Sequence, residues 1–222
     1  AALTKEQRKA FIPENDSFVE FDFDAYHLRL IANLVDYDFG KESVHEHFAK
    51  IYNCSYDESK AKTFQILYGG IREEHKKISK FFDKTYEYIN KKWRQINRFK
   101  YVVSTIYRRK LFFENYTGLN RNKLFNYLIQ GYETEMNIKK ILDIQDYLLT
   151  RGKKTKLVLY GYDSFLFDFS EQDGVKTLKE IKKMLENDCD LPTNRVDYIP
   201  YFKTKAKMGK NYGEMQDITK RL

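Results

Sequence analysis

The chain has 222 residues, of which 42% are hydrophobic, so it is long enough to form one or two globular domains with a real core. Its 40 Lys and Arg residues exceed its 32 Asp and Glu residues, and the net charge of +8 makes a polyanion a candidate partner. Two cysteines far apart, Cys54 and Cys189, exclude a disulfide scaffold and a zinc knuckle, and no apolar run reaches the roughly 20 residues of a membrane span.

Aromatic residues are interleaved with basic residues along the chain. The sequence has 17 Phe and 18 Tyr residues among its lysines and arginines, a composition typical of surfaces that stack bases and neutralise phosphates. A codon bias toward Lys, Asn, Tyr and Phe explains the same composition equally well. From the unpaired cysteines and the lack of an export signal at AALTKEQRKAF, we expect a cytoplasmic protein of a bacterium or a virus-infected host, with no membrane partner.

The first predicted elements are a strand and a helix. SFVEFDFD predicts a buried strand from about Phe18 to Asp22, and AYHLRLIANLV predicts a helix with Leu28, Ile31 and Val35 on one face. Asp22 therefore lies where the strand meets the helix, which is a common place for chemistry. Taken alone, such an acid is more often a residue at a helix start than a metal ligand.

Residues 43–98 have a helical pattern that no proline interrupts. Within them, YDESKAKTFQILYGG sets Lys60, Phe64 and Tyr68 four residues apart and closes on two glycines. An ordinary core helix buries aliphatic side chains along such a stripe, whereas this one begins with a cation. The stripe suits a flat, charged ligand, and taken alone it also suits a half-exposed helix face.

The second half of the chain contains another acid at a strand end. The basic, aromatic segment TIYRRKLFF precedes a long predicted helix, NRNKLFNYLIQGYETEMNIKKILDIQDYLL, in which Gly131 marks a close approach or a weak point. KTKLVLYGYDSFLFDF predicts a β-hairpin with Asp163 at its tip, although Asp also suits a tight turn for structural reasons. A last helix, VKTLKEIKKMLEN, precedes a strand-like VDYIPYF and a basic tail, KTKAKMGKNYGEM.

Three segments, taken in the order in which they occur along the chain, resemble the motifs of A-family DNA polymerases, the bacterial polymerase I type. FDFDAYHLRLIANL is similar to motif A, DYSQIELRVLAHL, with Asp22 as its acid. KAKTFQILYGG is similar to motif B, KxxxFGxxYG, and YDS resembles motif C, HDE, with Asp163 as its acid. Weaker matches at AFIPENDSF, VHEHF, TIYRRKLFF and FNYLIQGYETEMNIKK fall in the family's order. Each motif alone is loose, but the ordered set covers nearly the whole chain.

The resemblance implies a role for each matching residue. The implied catalytic and metal-binding groups, for two Mg²⁺ ions, are Asp22, Asp163 and the backbone carbonyl of Phe23. The implied nucleotide-binding residues are Lys60, Phe64, Tyr68, His27 and His45. The implied DNA-binding residues are Arg29, Arg108, Arg109, Asn126 and Gln130.

The resemblance also implies an α+β fold, with an antiparallel palm sheet and flanking helices plus a helical fingers subdomain. We expect palm residues at 1–42 with motif A, fingers at 43–116 with motif B, and palm residues at 117–222 with motif C. A thumb and an exonuclease domain are expected to be absent. The implied function is a DNA-directed DNA polymerase of DNA replication, a nucleotidyltransferase that adds dNTPs to the primer of a primer-template. It would be the palm and fingers portion of a larger or split enzyme, in which a second polypeptide could carry the thumb.

Several positions depart from the family pattern and leave alternatives open. His27 stands where the family has a Glu that crowds the ribose 2′-hydroxyl, so a ribonucleotide-tolerant or RNA polymerase relative is one alternative. Tyr56 replaces an Arg directed at the triphosphate, Gln65 replaces a motif B glycine, and Ser164 replaces the acid after Asp163. A non-catalytic, nucleic-acid-binding polymerase-like subunit is the other alternative. Retention of both acids favours catalysis, because unused buried acids are costly to keep unpaired.

Overall fold

A computed structural model describes residues 3–40, 42–104, 106–113, 117–187 and 201–222. Over these residues the α-helices are α1 (Lys5–Arg8), α2 (Tyr26–Leu34), α3 (Val44–Tyr52), α4 (Tyr56–Gly69), α5 (Glu73–Lys76), α6 (Lys80–Phe99), α7 (Arg121–Thr150) and α8 (Gly174–Glu186). The strands are β1 (Ser17–Phe23), β2 (Tyr101–Val103), β3 (Lys110–Phe112), β4 (Lys156–Gly161), β5 (Ser164–Phe169), β6 (Thr204–Gly209) and β7 (Gln216–Asp217). Short 3₁₀ helices occupy Glu171–Asp173 and Thr219–Arg221. No described helix is both long enough and apolar enough to cross a membrane.

The described residues divide into two compact units. The sheet unit holds residues 3–26, 137–187 and 201–222, and the helical unit holds residues 27–136. The long helix α7 contributes residues to both units. The predicted palm segments, residues 1–42 and 117–222, and the predicted fingers segment, residues 43–116, stay predictions.

The sheet unit is built on five strands in the order β4-β5-β1-β6-β7, and every neighbouring pair is antiparallel. The predicted α+β class, with an antiparallel sheet and flanking helices, is confirmed. The central strand β1 pairs with β5 on one side and with β6 on the other, so its side chains have neighbours on both flanks. The motif A acid therefore lies on the most enclosed strand of the sheet.

The period-two pattern of β1 divides the sheet into an aromatic face and a polar face. Phe21 and Phe23 are buried, and their rings lie edge-on to Phe167 and Phe165 at centroid distances of 5.8 Å and 5.9 Å. Edge-to-face aromatic pairs add to the free energy of area burial, so this face forms the core of the unit. The alternate residues of the same strand point to the opposite face, and these include the predicted metal ligand Asp22.

Helices α7 and α8 contribute buried apolar side chains to the sheet unit. Leu178, Ile181 and Leu185 of α8 are buried at helical spacing. The two helices are joined by Lys140 of α7, whose buried ammonium donates a hydrogen bond to the carbonyl of Met184 at 3.1 Å. Lysine side chains are almost never fully buried without a partner. The hydrogen bond from Lys140 to the Met184 carbonyl supplies that partner and stabilises the junction of the two helices.

The helical unit has its own aromatic core. Phe48 of α3 contacts the rings of Phe81 and Phe82 of α6 at centroid distances of 5.7 Å and 5.4 Å. Beyond α6, the hairpin β2–β3 pairs Val102 with Leu111, and its second strand lies within the segment TIYRRKLFF, which the sequence marks only as short, basic and aromatic. The predicted helical pattern of residues 43–98 is confirmed by the four helices α3, α4, α5 and α6 in that region.

Three expectations from the sequence need comment. Helix α7 runs unbroken through Gly131, where an added Cβ would meet no described atom of another element within 4 Å, so the predicted close approach is wrong, and the alternative of a weak point stays a prediction. Within the predicted basic tail, TKAKMG forms strand β6. The predicted strand at VDYIPYF lies mostly outside the described residues.

Candidate active site

The two predicted acids are brought together by the pairing of β1 with β5. Asp22 lies directly opposite Ser164, the first residue of β5. Asp163 precedes Ser164 in the two-residue turn of the β4–β5 hairpin, and its carbonyl accepts a hydrogen bond from the amide of Phe23 at 2.9 Å. Backbone pairing alone therefore sets Asp22 and Asp163, the predicted acids of motifs A and C, side by side, although they are far apart in the sequence.

The electrostatic surroundings of Asp22 leave it with uncompensated negative charge. Burial, the nearby charge of Asp163 and the charge of Glu20 raise the pKa of Asp22 to about 6, against the opposing effects of Lys207 and Lys205. The ammonium of Lys205 lies 3.1 Å from the carboxylate of Asp24, so part of its charge is already neutralised. Two neighbouring carboxylates that hold excess negative charge are suited to a divalent cation.

The donor set fits Mg²⁺ in particular. Magnesium prefers hard oxygen ligands, commonly one or two carboxylates together with substrate phosphates and water. The predicted ligands Asp22 and Asp163 offer two carboxylates, and the predicted third ligand is the backbone carbonyl of Phe23, the residue after Asp22. Among the described residues, no group of three or more His, Cys, Asp or Glu side chains is arranged to hold a metal ion.

The polar face of the sheet carries further charged residues that sequence reasoning missed. Lys205 lies opposite Asp22, and Lys207 lies opposite Glu20, both on β6. The hydroxyl of Tyr212 donates to the carboxylate of Glu20 at 3.2 Å. The alternation of lysine with small or apolar residues in TKAKM was the signal for this strand. Because the lysines dominate the composition of the tail, a basic tail was the simpler interpretation.

Asn137, buried in α7, joins the two motif segments. Its side-chain oxygen accepts a hydrogen bond from the hydroxyl of Tyr26 at 2.7 Å, just after motif A. Its side-chain nitrogen donates to the carbonyl of Tyr162 at 2.6 Å and to the hydroxyl of Tyr160 at 3.0 Å. Tyr162 is the residue before Asp163 and has a φ of 59°, which is an uncommon conformation for a residue with a side chain. Asn137 thus fixes the turn that presents the second acid.

In the helical unit, α4 presents the predicted nucleotide-binding stripe. A capping box starts the helix, in which the hydroxyl of Ser55 accepts from the amide of Glu58 at 3.3 Å and the Glu58 carboxylate accepts from the Ser55 amide at 2.9 Å. Lys60 is exposed, and Phe64 and Tyr68 are half-buried with their rings stacked at 5.8 Å and an interplanar angle of 11°. The three side chains therefore form a cation followed by two parallel rings.

The end of α4 depends on Gly70. This residue has a φ of 111°, and an added Cβ would come within 2.8 Å of the side-chain nitrogen of Asn122. That nitrogen donates to the carbonyl of Gly69 at 3.0 Å. A glycine is needed here because both the backbone conformation and the close approach exclude a side chain.

His27, Tyr68 and Glu133 form a hydrogen-bonded chain within the helical unit. His27 Nδ1 is bonded to the hydroxyl of Tyr68, and His27 Nε2 lies 3.1 Å from Glu133 Oε2. Burial, together with the charge of Glu133, raises the pKa of Tyr68 to about 12, so its phenol stays protonated. For the imidazole tautomer that carries its proton on Nε2, the phenol donates to Nδ1 and Nε2–H donates to the carboxylate. Glu133 was missed by sequence reasoning, because its partner His27 lies on another helix.

The remaining predicted nucleotide-binding residue, His45, is buried where α3 meets α4. Its ring lies edge-on to Tyr56 at 5.4 Å and tilted against Phe64 at 5.9 Å. Its backbone carbonyl accepts a hydrogen bond from the hydroxyl of Ser59 at 2.7 Å. His45 therefore packs behind the Phe64 ring of the stripe.

The five predicted DNA-binding residues lie in different environments. Arg29 is buried and donates to the carbonyls of Gly40 and Glu42 at 3.1 Å and 2.9 Å. Arg109 binds the buried carboxylate of Glu135 through Nε at 2.9 Å and Nη2 at 2.8 Å.

The other three are Arg108, Asn126 and Gln130. Arg108 and Gln130 are exposed, and Asn126 is half-buried with a side-chain oxygen that has no partner among the described residues. Their contacts with DNA stay predictions.

Comparisons with known proteins bear on the fold. No family model matches the chain, and no curated protein matches it. The structure is similar to the POL domain of Pol1 from M. smegmatis, solved in complex with a DNA primer-template and dNTP, with a TM-score of 0.73 and 16% sequence identity. The match covers 94% of this chain and 42% of that chain, so the chain spans less than half the length of its structural neighbour. The fold is polymerase-like.

Proposed function

We propose that the chain is a DNA-directed nucleotidyltransferase of the A-family polymerase type, which extends a primer with dNTPs copied from a template. The observation that carries this proposal is the juxtaposition of Asp22 and Asp163 by the β1–β5 pairing. The raised pKa of Asp22 supports it, because burial and the charges of Asp163 and Glu20 disfavour its ionised form, and a bound cation would offset that cost. Because the fold is polymerase-like, the chemistry that we propose for these two acids is nucleotidyl transfer.

The sheet unit would supply the metal-binding half of the reaction. Asp22, Asp163 and the carbonyl of Phe23 would hold two Mg²⁺ ions, which, when bound, stabilise negative charge on the attacking and leaving oxygens of phosphoryl transfer. Asn137 and the paired strands keep the two carboxylates oriented before substrate arrives. Such preorganisation lowers the free-energy barrier, because the groups need not rearrange during the reaction.

The helical unit would supply the nucleotide-binding half. Lys60 is exposed at the start of the α4 stripe, where its ammonium can bind a triphosphate as a point charge. The stacked rings of Phe64 and Tyr68 offer a flat surface for the sugar and base. His45 supports this surface from behind, and we therefore assign it an indirect role in nucleotide binding.

The choice of sugar rests on His27. Both ring nitrogens of His27 are engaged, one by Tyr68 and one by Glu133, so the imidazole has no free hydrogen-bonding atom for a ribose 2′-hydroxyl. A fixed imidazole with no free hydrogen-bonding atom excludes the ribose 2′-hydroxyl in two ways. It crowds the hydroxyl, and it leaves the hydroxyl without a hydrogen-bond partner. We therefore propose a preference for deoxynucleotides, with ribonucleotide incorporation as the second candidate activity.

Primer extension with Mg²⁺ tests the proposed reaction. The parent chain is expected to extend a primer-template, whereas Asp22→Asn and Asp163→Asn are each expected to reduce extension to background. Asp143→Asn is the matched control, because Asp143 is an exposed acid of the same unit that pairs only locally with Lys139 at 2.9 Å. Extension by either site variant at the control's rate would refute the proposal.

A binding measurement separates loss of chemistry from loss of metal. Mn²⁺ is a spectroscopic substitute for Mg²⁺, and its binding to the parent and to Asp143→Asn should exceed its binding to Asp22→Asn. If the parent binds DNA but neither extends primers nor binds Mn²⁺, the chain is a nucleic-acid-binding subunit and not an enzyme. The second polypeptide that could carry a thumb stays a prediction.

A further inference from the structure

A groove in the helical unit lies outside the residues assigned to the proposed reaction. Its volume is about 780 Å³, and it is lined by α6 together with the region just after α2, the end of α5 and the start of α7. Three aromatic and five basic side chains contribute to its walls. None of these eight residues belongs to the metal-binding acids or to the α4 stripe.

The basic residues of the groove outnumber its acids. They are Lys76, Lys84, Lys91, Arg94 and Arg121, and the one carboxylate among the described lining residues is that of Glu87.

Two of these cations already have partners. Lys76 pairs with Glu73 at 3.1 Å and with Asp83 at 3.7 Å, and Lys84 donates to the carbonyl of Asp36 at 2.6 Å.

Lys91, Arg94 and Arg121 are exposed, and no described carboxylate forms an ion pair with any of them. Lys84, Lys91 and Arg94 are spaced by seven and three residues, which places them on one face of α6 over about 15 Å of helix axis. The groove therefore carries a line of cations, of which Lys91 and Arg94 have no ion-pair partner among the described residues, and it is complementary to an extended anion.

Aromatic rings lie beside this line of charge, and the rings of Tyr86 and Tyr88 already have the ammonium groups of Lys76 and Lys92 over them. Tyr86, Tyr88 and Trp93 are half-buried walls of the groove. Tyr88 and Trp93 also pack against a cluster of buried residues that includes Ile96 and Leu124, so their rings are held in place. Fixed rings beside unpaired guanidinium groups are the combination that holds single-stranded nucleic acid, in which bases stack and phosphates are neutralised.

We propose that this groove binds a single-stranded nucleic acid segment, with Lys91, Arg94 and Arg121 on its phosphates and Trp93 against a base. A protein ligand would need acidic groups and would gain little from the fixed rings. A free nucleotide would occupy the groove but would not use the full line of cations along α6. The site is separate from the proposed polymerase chemistry and does not depend on it.

The chain contains one tryptophan, so Trp93 is a built-in reporter of occupancy. Titration with a short oligothymidylate should quench the intrinsic tryptophan fluorescence of the full chain. Arg94→Glu should weaken oligonucleotide binding, measured by anisotropy of a labelled oligonucleotide, by about tenfold and should reduce the slope of binding against salt by about one. Because this binding is measured without Mg²⁺ and without dNTP, failure of the catalytic proposal leaves the result interpretable.

Arg98→Glu is the matched control, because Arg98 is an exposed cation of the same helix that lies over the ring of Phe99 and does not line the groove. Equal weakening by Arg94→Glu and Arg98→Glu would overturn the proposal, since it would show general attraction to a basic surface. Absence of quenching while the oligonucleotide is bound would place that strand elsewhere. Quenching by dTTP at the concentration at which the oligonucleotide acts would make the groove a nucleotide site and would also overturn it.

Discussion

Asp22 shows how a functional charge opposes folding. Its pKa is raised to about 6 in the folded chain from a usual value of 3.8, mainly by burial and then by Asp163. A carboxyl whose pKa is raised on folding binds its proton more tightly in the native state, so the ionised form destabilises that state. The penalty is absent below about pH 4, grows as the pH rises through the folded pKa, and is complete above it. A shift of this size corresponds to at most about 3 kcal/mol.

Replacing Asp22 by a neutral isostere should therefore stabilise the protein at high pH. Asp22→Asn is expected to raise Tm by about 2–8 °C at about pH 8 and to leave it nearly unchanged at about pH 4. Thermal unfolding followed by circular dichroism at the two pH values measures the difference. Mg²⁺ should raise the Tm of the parent and not that of Asp22→Asn. The same stabilisation in Asp143→Asn, or one that does not depend on pH, would contradict the assignment.

Glu133 should act on sugar choice through His27. Glu133→Ala removes the acceptor of Nε2–H, so the imidazole can turn and offer a nitrogen to a 2′-hydroxyl. The preference for dNTP over rNTP, measured as a ratio of kcat/KM values in single-nucleotide incorporation, is expected to fall about tenfold. Glu133→Gln keeps an acceptor oxygen and should retain most of the preference.

Thr134→Ala is the control for that measurement, because Thr134 is the exposed next residue and its hydroxyl donates only to the carbonyl of Gln130 at 2.9 Å. An imidazole ¹⁵N spectrum of the parent should show the Nε2–H tautomer, and this tautomer should be lost in Glu133→Ala. An unchanged dNTP:rNTP ratio together with a changed tautomer would remove His27 from sugar selection.

Among the elements, the β4–β5 hairpin depends most on one distant side chain. The turn contains Tyr162 in a left-handed conformation, which carries a strain of roughly 1 kcal/mol. Asn137 holds the carbonyl of that residue and two tyrosine hydroxyls as well. Since the turn also carries Asp163, the geometry of the second acid is set by α7 as much as by the hairpin sequence.

Asn137→Leu should therefore affect stability and catalysis together. The loss of three hydrogen bonds, with polar partners left in partly buried surroundings, is expected to lower the free energy of unfolding by about 2–3 kcal/mol in urea denaturation. In the folded variant, kcat should fall more than KM, and the Mg²⁺ concentration needed for half-maximal extension should rise. Ile138→Ala, at the exposed next position, should change neither kinetic property. A destabilised variant with unchanged kcat and Mg²⁺ dependence would limit Asn137 to a structural role.

The elements that the sequence predicted are those with a local pattern. The strand at Asp22, the stripe of α4 and the hairpin at Asp163 each follow from residues within one short segment, by alternation, helical spacing or turn chemistry. Strand β6 was missed because its lysines alternate with small residues, and such a strand is stable only beside the buried β1. Asn137 and Glu133 could not be predicted, since their partners are set by tertiary packing.

At the scale of the whole molecule, the proposed function requires two opposite electric fields of one chain. The excess of basic residues gives a net charge of +8, which favours association with a nucleic acid polyanion. The region of Asp22 remains negative despite this excess, because Lys205 is engaged with Asp24 and burial strengthens the repulsion from Asp163. A polymerase needs both properties, since the same protein must attract phosphates and retain cations between them.

The positive field should make primer-template binding strongly dependent on salt, because binding releases counterions from the DNA. Between about 50 mM and about 200 mM monovalent salt, the Kd for a primer-template is expected to rise at least tenfold in a fluorescence anisotropy titration. Arg94→Glu should lower the salt slope by about one, whereas Asp22→Asn should leave it unchanged or steepen it slightly, because it removes a negative charge. A Kd that is independent of salt would show that the surplus of basic residues reflects codon bias and does not contribute to DNA binding. In that case the proposed attraction of DNA by the whole molecule would be wrong, whatever the outcome at the acids.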